Sequence, residues 1–122
     1  MLWQKTGTAQ GAITKNRIVK FGSADDTYAV ATTPATDRIA GVFIGPSDAA
    51  DSDTIEVCML GECNLEVSGA IGRGMSLTTN GSGQGVNAAP VAGTNNKIVA
   101  MAQISGTDTT IPVFVVPGWF QG

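Results

Sequence analysis

The chain has no histidine and only two cysteines in 122 residues. Without histidine the commonest general base is missing, so a Ser, Thr or Cys nucleophile would need a Lys or a carboxylate to activate it. Cys58 and Cys63 are separated by four residues, and no further Cys or His completes a zinc site. They read as ordinary thiols; the alternative, a disulfide closing that short loop, requires an oxidising compartment. The glycine-rich stretches Gly72-Arg73-Gly74 and Gly81-Ser82-Gly83-Gln84-Gly85 lack the Gly-Lys-Ser/Thr ending of a phosphate loop and read as turns. The expectation is a protein that is not an enzyme, with no catalytic, cofactor-binding or metal-binding residue and no cofactor.

Charge is also scarce. Asp, Glu, Lys and Arg make up 14% of the chain, against about 25% in an ordinary soluble domain, which implies surface destined for burial against something else. The net charge is −3 and no Lys/Arg cluster could neutralise successive phosphates, so no nucleic-acid partner is expected. Nowhere do apolar residues run long enough to cross a bilayer, so no membrane partner is expected either. The start, Met1-Leu2-Trp3-Gln4-Lys5-Thr6-Gly7, lacks the charged and then apolar pattern of a secretory signal, so the expectation is either synthesis and use in the cytoplasm or a chain that is mature as given. Asp48, Asp51 and Asp53 bring hard oxygen ligands together after Gly45-Pro46, but their spacing is not that of an EF-hand and they read as a solvated acidic loop.

What is present is strand vocabulary. Short apolar, β-branched runs recur over 16–21, 28–31, 38–44, 54–60, 63–67, 75–78, 97–104 and 110–116, each bounded by turn formers. In Thr54–Leu60, Ile55, Val57 and Met59 alternate with Glu56 and Cys58, the pattern of a strand with one buried face. Asn80-Gly81 and the glycines after it read as a hairpin connection, and Pro112 marks an edge or first strand position. The two parts of the chain also match one another at offsets of 56 to 59 residues: 17–20 with 74–77, 37–42 with 96–101, and 55–61 with 111–118. Together these predict an all-β, single-domain β-barrel or β-tulip-like fold over 16–122, built from similar halves at about 16–61 and 72–118. Residues 1–15, rich in Gly, Thr and Gln, are expected to form an extended N-terminal arm that orders on a partner.

Aromatic residues are only 6% of the chain, and both tryptophans, with Phe120, lie near its ends. Trp3, Trp119 and Phe120 are therefore the candidate partner-interface residues, because large aromatics bury much area at small entropic cost. The alternative is that both ends fold back and complete the core.

The stretch from Arg38 to Gly118 resembles the small decoration, or cement, proteins of tailed-bacteriophage heads. The resemblance rests on the order of Ile39-Ala40-Gly41-Val42, Val57 to Gly61, Ser68-Gly69-Ala70-Ile71-Gly72-Arg73-Gly74-Met75-Ser76-Leu77, Gly81-Ser82-Gly83, Ile98-Val99-Ala100-Met101-Ala102, and Val113 to Gly118. It implies a compact barrel-like virion protein, commonly a homotrimer, that is present in the host cytoplasm during assembly. It then binds the major capsid protein on the exterior of the expanded capsid and clamps neighbouring subunits. Two other readings explain the composition: a phage tail or fibre structural β-module, and a carbohydrate-binding module. The second is disfavoured by the absence of any aromatic from 45–53 and 79–96.

Overall fold

The structure, a computed structural model, describes residues 3–34, 36–88 and 95–121; for 95, 96 and 117–121 only the backbone is described. Among the described residues there is no helix. Instead Gly, Thr, Val and Ile supply eleven strands: β1 Trp3–Ala9, β2 Ile18–Phe21, β3 Thr27–Val30, β4 Ile39–Ile44, β5 Thr54–Glu66, β6 Ala70–Ile71, β7 Ser76–Thr79, β8 Gly85–Asn87, β9 Asn95–Ala102, β10 Gly106–Thr107 and β11 Thr110–Gln121.

The first five close a barrel. β1 runs parallel to β3, β3 pairs antiparallel with β2, β2 with β4, β4 with β5, and β5 returns to β1. Closure leaves no free edge in this ring. Its interior is filled by Ala9, Val19, Tyr28, Phe43, Ile55 and Val57.

β5 belongs to two structures at once. Its first half pairs with β1 and β4, and from Gly61 onward it takes up β11, with Gly61 opposite Val115. Gly61 sits at φ 116°, a backbone setting that side chains resist, at the changeover between the two sets of partners. The sequence therefore reads as separate strands, Thr54–Leu60 and Cys63–Val67, what the structure joins into one strand of 13 residues.

The second half repeats the first ring. β11 pairs with β9, β9 with β7 and β7 with β8, all antiparallel, and a parallel bridge from Val67 to Gly85 ties β8 back to the end of β5. Each pairing has a counterpart 56 to 59 residues earlier. Val19 opposite Gly41 becomes Leu77 opposite Ala100, Gly7 opposite Ile55 becomes Leu65 opposite Ile111, and Ala9 beside Tyr28 becomes Val67 beside Gly85. Positive-φ turn residues recur in the same way, Gly11 with Gly69, Asn16 with Gly74, and Asp26 with Gly83. The internal duplication is thus a repeat of hydrogen-bond register as well as of sequence pattern. The interior of the second half, with Leu65, Val67, Leu77, Ala102, Ile111 and Val113, forms the larger core cluster.

The N-terminal segment is extended, as expected, but from Trp3 on it is β1 of the barrel. Gly7 and Ala9 are buried, and Ile13, bridged to Ala49, is in the core. Its order comes from within the chain, because β5 and β3 would otherwise present unpaired edges. Pro112 is also placed differently from expectation. It is the third residue of β11, a strand flanked on both sides, and is accommodated because the β9 ladder begins only at Val113.

Candidate interaction surface

One transverse row of the first barrel consists of Gln4, Cys58, Val42 and Ile18, each opposite the next across a strand boundary. Val42, Cys58 and Ile18 are fully buried although they lie outside the barrel interior, because they join the core cluster of the second half. The counterpart row in that half is Glu62, Phe114, Met101 and Ser76. Here Phe114 is 40% exposed and Met101 49%, with Val116 at 43% further along β11. Among the described residues Phe114 and Met101 thus form an exposed apolar cross-strand pair, with Val116 in the irregular stretch of β11 that follows, the kind of surface that marks a contact site.

A second apolar point lies at the far end of the first barrel. Phe21 is 51% exposed, and its ring leans on Tyr28 with centroids 5.8 Å apart. Beside it the turn 22–26 and Lys5 line a cleft of about 450 Å³, and Lys5 pairs with Asp26 at 3.4 Å.

Of the residues singled out from sequence, Trp3 is 61% exposed at the start of β1, opposite Leu60. Trp119 and Phe120 continue β11, opposite Lys97 and Asn96, and their side chains lie outside the described part. Phe114, Met101, Val116 and Phe21 were not singled out. The unbroken run Val113-Phe114-Val115-Val116 shows that both faces of that strand are apolar but not which of them is outward, and no sequence signal marks Met101 or Phe21.

The acidic loop turns out to be structural. Asp51 accepts the Gly11 N–H at 2.8 Å, Asp48 the Lys15 N–H at 3.0 Å and Asp53 the Ala50 N–H at 2.8 Å. Among the described residues no group of three or more His, Cys, Asp or Glu could hold a metal ion. Cys58 and Cys63 are free thiols. The Cys58 thiol donates to Gly61 O at 3.8 Å, and the neighbouring Cys58 together with burial pushes the Cys63 thiol well above its ordinary value.

Two polar networks hold the halves together. Arg17 pairs with Glu66 at 2.7 Å and donates to Ser82 O at 2.7 Å, while Gln84 Nε2 donates to the same carboxylate at 2.6 Å. Asp37 accepts the N–H groups of Thr32 and Thr33 at 2.8 and 2.9 Å and faces Lys20 at 3.5 Å; its own carbonyl accepts Lys97 Nζ at 2.5 Å. Burial acts to raise the Asp37 pKa, but the two N–H donors and the Lys20 ammonium outweigh it, and the carboxyl sits below its ordinary value.

No protein-family model matches the chain, and no curated protein matches it. Among solved structures it is similar to the head fiber gp8.5 N base of bacteriophage phi29, with a TM-score of 0.67 over 95% of this chain and 95% of that one, at 17% identity. At that identity the shared property is the fold, taken over nearly the whole of both chains.

Proposed function

We propose that this protein is a virion structural component of a tailed bacteriophage. It binds the major capsid protein on the outer surface of the expanded capsid and stabilises the shell by clamping adjacent subunits, acting as a homotrimer. The observation that carries the reading is the near full-length fold likeness to a phage head fibre base. The ordered decoration-protein motifs from Arg38 to Gly118 and the low charge support it. Such a role needs no chemistry: a protein that binds only the expanded state stabilises that state by mass action. Trp3, Trp119 and Phe120 are the proposed anchors on the capsid.

A second reading is favoured by what that neighbour is, the base of a fibre. In it the chain is a fibre module that seats on the head without bridging subunits. Co-sedimentation of purified protein with expanded capsids lacking it, against unexpanded proheads, tests the role. Saturable binding to expanded capsids alone, with a raised rupture temperature of the particle, is the expected result. Binding without any gain in rupture resistance would select the fibre-base reading, and no binding to either particle would overturn both.

A further inference from the structure

The duplication sets a buried row beside a bare one. Gln4, Cys58, Val42 and Ile18 cross the first barrel, and the last three are sealed inside the molecule by the second half of the chain. The equivalent row, Glu62, Phe114, Met101 and Ser76, crosses four strands of the second half, and its centre is open: Phe114 is 40% exposed and Met101 49%. Where the covered row has Cys58 and Val42, the open row has Phe114 and Met101, so the apolar bulk is greater on the side that the chain leaves bare. Polar residues surround it on the same sheet face, Asn64 two places beyond Glu62 on β5 and Gln103 two places beyond Met101, with Ser76 at the β7 end. An apolar centre with a polar rim is the make-up of a protein-binding patch.

The row carries one charge. Glu62 is exposed and directly opposite Phe114, and among the described residues it forms no ion pair, whereas Asp26, Asp37 and Glu66 each face a cation. A carboxylate beside an exposed aromatic ring suits a cation, because an Arg or Lys side chain can lay its charge on the ring and still reach the carboxylate. We infer that this face is a docking site for the major capsid protein, and that the capsid segment seated on it is apolar with one basic side chain set between Phe114 and Glu62. That the partner is the capsid rests on the function proposed above; the surface and the sign of the charge rest on the row itself. The contact is additional to the terminal aromatics and is made by each copy separately, so it does not require self-association.

Co-sedimentation of full-length variants with expanded capsids, paired with light scattering on the same proteins without capsids, tests it. Phe114→Ser and Met101→Thr are each expected to weaken capsid binding by about tenfold or more, the loss of a central contact. Thermal unfolding and the mass in solution should stay unchanged, because both side chains are exposed. Glu62→Gln should weaken binding by about threefold, as the loss of an exposed pair does, and Glu62→Lys by about tenfold or more, because like charges then meet. If Phe114→Ser unfolds, Met101→Thr and the two Glu62 variants carry the test. Wild type that binds capsids while these apolar variants bind equally well would overturn the inference and leave the proposed function standing. Tighter binding by Glu62→Lys would overturn the basic partner, and a loss of binding accompanied by a fall in solution mass would assign the face to a second copy instead. Wild type that binds no capsid would remove the proposed function and this assignment together.

Discussion

At the scale of single residues, the clearest consequence of the duplication is a position where the two copies differ. A Cβ on Gly41 would run into the backbone carbonyl of Cys58, an obstacle that cannot rotate away. The counterpart, Ala100, carries that Cβ and is buried without such an obstacle. Gly41→Ala is therefore expected to destabilise the fold by about 3 kcal/mol, the upper end of the usual range for overpacking because the obstacle is backbone. Ala100→Gly should cost only about 1 kcal/mol, from strand entropy and a small lost contact. Urea unfolding of both variants checks the ordering, and equal losses would contradict it. Asp37 gives a pH dependence. Its pKa is lowered on folding, so it contributes stability above its unfolded value near 4, and that contribution is lost as pH falls through the folded value. Asp37→Asn is expected to cost about 1 to 2 kcal/mol at pH 7 and progressively less below about pH 4, measured as the gap between the two melting curves. A gap that stays constant from pH 7 to pH 3 would show that the carboxylate charge contributes nothing.

At the scale of elements, the N-terminal strand decides most. Among the described residues β1 is the stave between β3 and β5; its Ala9, and Ile13 just beyond it, enter the first core. Deleting residues 2–12 is expected to open the ring, abolish the cooperative thermal transition and make the β2–β4 region sensitive to protease. A deletion variant that melts where the parent does would instead show that β1 is dispensable for the fold. The sequence was a fair guide to strand existence wherever β-branched residues alternate, as in β2, β4, β5 and β9. It was a poor guide to β1, whose Gln, Lys, Thr and Gly carry no apolar rhythm and become a strand only because two other strands need a partner. It was equally poor at the changeover in β5, where Gly61 looked like a turn and is the bend of one long strand. The repeat was legible because register depends on spacing, and spacing survives at 56 to 59 residues even where the side chains have diverged. The exposed face was not legible, because an outward Phe114 and an inward Val113 look alike until the sheet is built.

At the scale of the whole molecule, composition and surface converge on association through apolar contact. A chain with so few charges that still leaves Trp3, Phe21, Met101 and Phe114 exposed has little electrostatic means of attracting a partner and considerable apolar area to bury. Salt dependence follows from this. Attachment driven by paired charges weakens as ions screen them over a Debye length of about 8 Å at physiological strength. Attachment driven by buried apolar area does not, and it is strengthened by salting-out ions such as sulfate and weakened by cooling. Under the proposed role, binding to the expanded capsid is therefore expected to change by less than about threefold between 50 and 500 mM sodium chloride, to tighten in sulfate and to weaken toward 4 °C. Sedimentation isotherms across those conditions provide the check. A tenfold or greater loss in sodium chloride would place the capsid contact on the polar surface instead, around Lys5, Asp25 and Asp26, and would separate it from the apolar face that the duplication leaves uncovered.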